Sequence, residues 1–254
     1  MTISTGTTEK LDISKVIETT MGVIQRNFVP FALISAVFSG IPTLIMGFVA
    51  PEAYARTITT AGQGLPILYG SILAMVAATI LQGALVYMTT SELAGRKRTI
   101  GEGLIHGLRS FLPLIGIVIL TILGLMCGFL LLIVPAFILA VMRSVTVPAF
   151  LVEGSGIRSA FSRSRELTRN NRWRIALLAI IAAIIGAIIG LVVGAIFGML
   201  LAIISGPTFV VPVTRALGTL LGAMINGTGL AVLYTELRRI KDGVGISDLA
   251  AVFD

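Results

Sequence analysis

One arginine stands alone inside a long apolar stretch: between Phe111 and Val152 the chain carries a single charge, Arg143. If its helix runs straight on to Glu153, ten residues of rise put it roughly 15 Å below that end, near the middle of a bilayer. A charge at that depth is costly and by default marks function, here the handling of an anion. The structural alternative is that the guanidinium snorkels, or pairs with backbone carbonyls or Glu153, and only fixes a short hairpin. A second group of cations, Arg158, Arg165, Arg169 and Arg172, falls within about 80° on a helical wheel, with Arg163 and Arg174 pointing elsewhere. Such a stripe sets topology and attracts anionic lipid, at about 1 kcal/mol per cation near the surface. The sharper reading is a headgroup or phosphoester site. Glu92, Glu153 and Glu236 each flank a turn between helices. Capping, or pairing with a neighbouring arginine, is their expected role, and a proton relay is the weaker alternative.

Gly186, Gly190, Gly194 and Gly198 recur every four residues, preceded in the same register by Ala182. Small residues at that spacing let two helix backbones approach closely. The expected use is packing within the chain, for instance against Gly218 and Gly222; the alternatives are self-association or a pore wall. Gly124 and Gly128 form a weaker copy. Gln82 and Asn226 are placed to make interhelical hydrogen bonds, worth about 0.6 kcal/mol each. His106 is the only histidine and Cys127 the only cysteine. They cannot build a Cys/His zinc site, and no intrachain disulfide forms. No phosphate-binding glycine loop, zinc-protease or serine-elbow motif occurs. The sequence nominates no catalytic residue, no metal ligand and no cofactor.

The elements that must position these residues are membrane spans. Of 254 residues 56% are hydrophobic and 12% charged, about half the charge of a soluble domain, and the mean hydropathy is +1.01. A net charge of +7 would suggest nucleic acid in a soluble protein, but the cations here sit between apolar runs. Nucleic acid is therefore rejected as a partner. Spans are expected over 28–50, 65–90, 175–205 and 211–234. The run from 111 to 152 must contain an even number of crossings, because the loops on both its sides are rich in arginine. Two crossings fit, the second opening at Pro135 and covering 135–152; a re-entrant hairpin is the alternative. Sixteen of the nineteen Lys and Arg residues then lie on one side, with Arg56 and Arg215 on the other and Arg143 within a span. The positive-inside rule makes that side cytoplasmic, with both termini in. The segment before Phe28 is too long and too mixed in charge for a signal peptide, so it is expected to be retained.

The fold class is an all-α integral membrane protein of six transmembrane helices with three amphipathic surface helices. Ile13, Val16, Ile17, Thr20, Met21 and Ile24 follow helical spacing, as do Ile157, Ala160, Phe161, Ser164 and Leu167, and in shorter form Ile100, Leu104, Ile105 and Leu108. The stretch from Ile13 aligns without gaps on the stretch from Ile157, ending with Arg26-Asn27 against Asn170-Asn171. Three diverged units are read, each a surface helix, a span and a returning span closed by a glutamate. As a single membrane domain, the chain divides into an amphipathic segment 1–27, two spans over 28–90, a surface helix and hairpin over 91–152, a basic amphipathic segment 153–174, two spans over 175–236 and a tail 237–254.

From Val147 to Leu178, and again in "AVLYTELRRIKDG" from Ala231 to Gly243, the chain resembles a membrane family. This is the membrane domain attached to some bacterial glycerophosphoryl diester phosphodiesterases, together with stand-alone YciC-like inner-membrane proteins. The resemblance implies six spans in a bacterial inner membrane and little about activity. Eighteen residues follow Glu236, so no soluble phosphodiesterase domain is expected and no hydrolase activity is carried over. The expected function is non-enzymatic: binding anionic membrane lipids and organising the membrane or a partner, which is a second copy or another membrane protein. The alternatives are a small-solute or ion transporter or channel using Arg143 and the glycine face, and a membrane-embedded enzyme acting on phospholipid or glycerophosphodiester.

Overall fold

The computed structural model describes residues 10–49, 64–131, 133–154, 156–204 and 207–243. Arg56, the tail from residue 244 and the ends expected at Ala50 and Ser205 lie outside them. Among the described residues the secondary structure is helical throughout: α1 Ile13–Arg26, α2 Phe28–Ser35, α3 Ile41–Val49, α4 Gly64–Leu93, α5 Ile100–Leu131, α6 Ile133–Arg143, α7 Thr146–Glu153, α8 Ile157–Thr168, α9 Arg172–Ile204 and α10 Pro207–Asp242. Six apolar segments are long enough to cross a membrane: Phe28–Val49, Gly70–Leu93, Ile100–Leu130, Pro135–Glu153, Arg172–Ile204 and Phe209–Asp242. The chain is a multi-pass membrane protein.

Local chemistry explains most boundaries. Asp12 caps α1 by accepting from the Lys15 N–H at 3.3 Å. Thr99 and Glu102 cap α5 reciprocally: the Glu102 carboxylate accepts from the Thr99 N–H at 2.8 Å and the Thr99 hydroxyl from the Glu102 N–H at 3.3 Å. Pro30, Pro135 and Pro148 all fall in the first turn of a helix, where a missing N–H costs nothing. Gly154, at φ 61°, closes α7 in the left-handed conformation.

The first span is interrupted by a π-helical turn at Ala36–Gly40, between α2 and α3. α10 is the hub, packed against α1, α2, α3, α4, α7, α8 and α9. Glycine sets the closest approaches. A Cβ at Gly107 would lie 2.5 Å from the Ile80 carbonyl of α4, and Gly83 faces Gly107 across the same seam.

Two sequence expectations are corrected. Residues 100–108 are not a separate surface helix: capped at Thr99, they run straight into the third span as part of α5. The fourth span is not one straight helix either, because α6 ends at Arg143 and α7 restarts at Thr146. The straight-line depth of Arg143 therefore does not hold. Val141 and Val145, on either side of it, pack in one cluster with Ile175 and Ala176 of α9 and Leu233 and Leu237 of α10. That level is within about one turn of the arginines that open α9.

The outer two units keep a constant offset of 144 residues. α1 and α8 start at Ile13 and Ile157, and the spans that follow them start at Phe28 and Arg172. Buried positions coincide at the same offset: Val16, Thr20, Val23 and Ile24 in α1, Ala160, Ser164, Leu167 and Thr168 in α8. Gly83 and Gly227, and Glu92 and Glu236, keep it as well.

Candidate functional site

The charged segments of the chain meet at one end of the bundle. Glu92 and Glu153 lie at the ends of the returning helices α4 and α7, Glu236 lies within the last turns of α10, and each is held by a cation. Glu92 accepts from Arg26 Nε at 2.8 Å and from Asn27 Nδ2. Glu153 accepts from Arg163 Nε at 2.8 Å and from the Tyr234 hydroxyl at 3.0 Å. Glu236, 8% exposed, accepts from Lys15 Nζ at 3.0 Å and from Arg239 Nη2 at 2.8 Å. A half-exposed ion pair contributes little, but an acid this enclosed needs its partners, because an unpaired buried charge is strongly destabilising.

Arg163 is the main junction of this cap. Besides Glu153 it binds Glu166 at 3.3 Å and the Asp242 carboxylate at the end of α10. Burial opposes its charge, yet the hydrogen bonds to Glu153 and Asp242 outweigh that and hold its guanidinium above the usual arginine value. Arg174 donates to the Leu11 carbonyl at 2.7 Å, and the Leu11 N–H donates to Asn171 Oδ1 at 3.1 Å. The segment before α1 is thereby tied to the start of α9.

The predicted arginine stripe does not form one helical face. α8 ends at Thr168, Arg169 is extended, Asn170 has φ 74° and Arg172 opens α9. The wheel assumed one helix through all four. Arg158 and Arg165 remain on α8 and are exposed, as is Arg169, and among the described residues these three have no ion-pair partner. Arg172 is half-buried. Trp173, beside it, is 84% exposed, the position of an interfacial anchor.

Arg143 is engaged by backbone carbonyls and an aromatic ring. Its Nη1 donates to the Leu120 carbonyl at 3.0 Å and approaches that of Thr121 at 3.4 Å, while the guanidinium lies 5.2 Å from the Phe161 ring. The room comes from Gly124, where a Cβ would sit 1.9 Å from Nη1. The Met142 carbonyl, freed where the fourth span breaks, accepts from the Ser164 hydroxyl of α8 at 2.8 Å. α8 thus braces the break from the side.

The glycine stripe of α9 packs within the chain at one end only: Gly198 is buried and faces Val210 and Thr214 of α10. Among the described residues a Cβ at Gly186, Gly190, Gly194, Gly218 or Gly222 would meet nothing within 4 Å. Gly186 and Gly194 are half-buried, as are Ile181, Ile185, Ile189 and Val193, while Gly190 is exposed. The weaker pair is closely packed: Gly124 lies beneath Arg143, and a Cβ at Gly128 would sit 2.9 Å from Ala136 Cα.

Sequence reasoning put the glutamates in ion pairs but did not choose Lys15, Arg26 or Arg163 as their partners, nor Tyr234 as a donor. The Thr99-x-x-Glu102 spacing was a readable sign that a helix starts at Ile100. Scans against protein-family models and searches of curated proteins and solved structures match nothing.

Proposed function

We propose that the chain is a non-enzymatic membrane protein that binds anionic lipids at its charged end and organises the membrane or a membrane partner there. One observation carries this reading. The glutamates near the ends of the returning helices are each matched by a cation within the fold, whereas Arg158, Arg165 and Arg169 remain exposed at the same end. Surplus cations beside an exposed Trp173 suit the boundary between bilayer and water, where anionic headgroups gather. On this reading that end is cytoplasmic, both termini are inside and the membrane is a bacterial inner membrane, in keeping with the resemblance to the YciC-like family. The 144-residue offset supports reading the outer two units as copies of one ancestral unit. Transport through Arg143 is the weaker alternative, because its guanidinium is already engaged by backbone carbonyls and a ring.

Native mass spectrometry tests the proposal, with the chain extracted from mixed phosphatidylglycerol and phosphatidylcholine membranes. The wild type should retain phosphatidylglycerol selectively. The Arg158→Gln/Arg165→Gln/Arg169→Gln variant should lose that selectivity, by about 1 kcal/mol per cation removed. Equal retention of both lipids by the wild type would reject the proposal.

A further inference from the structure

The charge of Arg143 is held in place but not neutralised. Carbonyl dipoles and the Phe161 ring solvate its guanidinium, and neither carries a net opposite charge. Among the described residues no carboxylate pairs with it: Glu153, the nearest acid along the chain, is taken by Arg163 and Tyr234. Only Nη1 donates; Nε and Nη2 have no acceptor among the described residues, and neither is sealed inside the protein. A cation in an apolar span that keeps free donors needs an anion from outside the chain. Two observations indicate which anion. Phe161, against which the guanidinium lies, belongs to α8, whose Arg158, Arg165 and Glu166 are exposed. Hydrocarbon does not admit such a helix, so Arg143 is held at the boundary level where lipid phosphates lie. Beside it on α5, Leu120 and Leu123 are 47% and 52% exposed, an apolar wall open to acyl chains.

We infer that Arg143 binds the phosphodiester of a membrane phospholipid, with Nε and Nη2 as donors and the acyl chains along Leu120 and Leu123. Gly124 and Phe161 have positioning roles: they hold the guanidinium from α5 and α8, so the planar donor set meets the phosphate already fixed. The group recognised is common to all phospholipids, so the site is indifferent to the charge of the rest of the headgroup. It therefore fails or succeeds independently of the preference for anionic lipid proposed for Arg158, Arg165 and Arg169.

The test compares the full chain with Arg143→Gln, both extracted from phosphatidylcholine nanodiscs, by native mass spectrometry at rising collision energy. The wild type should keep one phosphatidylcholine after the other lipids are stripped. Arg143→Gln should hold it about tenfold more weakly, the loss of one charge-assisted hydrogen bond, yet keep the wild-type preference for phosphatidylglycerol in mixed membranes. A second measurement decides the matter if Arg143→Gln does not fold, since it uses the wild type alone. Thermal unfolding in dodecyl maltoside is followed with three probes: dihexanoyl phosphatidylcholine, a phosphate-free galactolipid with the same chains, and inorganic phosphate. The phospholipid should raise the melting temperature saturably and the other two should not. Equal protection by the galactolipid reduces the site to acyl contact, and equal protection by inorganic phosphate makes its ligand a soluble anion; either overturns the inference. So does a wild type that keeps no phosphatidylcholine, or an Arg143→Gln variant that keeps it equally well.

Discussion

Arg143 and Arg163, twenty residues apart, show how one residue type takes different roles. Arg143 is bound by carbonyl oxygens of α5 and lies over Phe161, so its charge is met by dipoles rather than by a carboxylate. Gly124 makes that possible, and the two residues should behave as one unit. Arg143→Leu and Gly124→Ala are each expected to lower stability by about 1–3 kcal/mol. The double variant should cost little more than either single one, because both remove the same contact. Additive melting shifts in detergent would refute this coupling. Arg163 instead joins three acids from α7, α8 and α10. Arg163→Met leaves Glu153 and Asp242 without their shared cation and should cost about 2–3 kcal/mol. Tyr234→Phe removes one neutral donor from Glu153 and should cost about 1 kcal/mol. Thermal denaturation of the purified variants checks the order, and a larger effect for Tyr234→Phe than for Arg163→Met would contradict this account of the cap.

The elements differ in what their glycines do, and spacing does not reveal the difference. Gly107 lies in the seam between α4 and α5, where any side chain meets the Ile80 carbonyl and a backbone cannot step aside. Gly107→Ala should cost about 2–3 kcal/mol through overpacking. Gly190 faces open space within the chain. Gly190→Ala should leave a monomer unchanged, or stabilise it by up to about 1 kcal/mol through helix propensity. If a second copy covers that stripe, the same change shifts the oligomeric state, which light scattering after gel filtration reads directly. The returning helices also have unlike forms, α10 in one piece and the fourth span in two. The break is sustained by Ser164, which satisfies the carbonyl that α6 leaves open.

At the scale of the whole molecule, the segments around α1, α8 and the last turns of α10 lie together. Lys15 with Glu236, and Arg163 with Asp242, join them across the sequence. Arg215 lies 27 residues before Asp242 on α10, roughly 40 Å away at helical rise. Single cysteines introduced at Ser14 and Lys241, in a Cys127→Ser background, should therefore both react with an impermeant maleimide applied from one and the same side of the membrane. A cysteine at Arg215 should react from the other side. Reaction of the first two from opposite sides would break the proposed topology.

Composition and the distribution of cations were enough to derive six spans and a common side for the charged segments, because hydrocarbon admits only long apolar helices and basic loops resist crossing. Helical spacing likewise picked out Val16, Thr20 and Ile24 of α1 and Ala160, Ser164 and Leu167 of α8, which are buried, since periodicity is a local property, although Met21, chosen by the same spacing, is 41% exposed. Which cation meets which acid was not legible. Lys15 and Glu236 are 221 positions apart, and their meeting depends on how α1 crosses α10. The same reason hid the turn at Ser144 and Val145: a stretch of apolar residues with one arginine has no local signal for a break that a hydroxyl from another helix supports. That Gly198 is buried against α10 while Gly190 is exposed was decided at this level too, because four-residue spacing marks a smooth helix face and only the tertiary packing determines what lies against it.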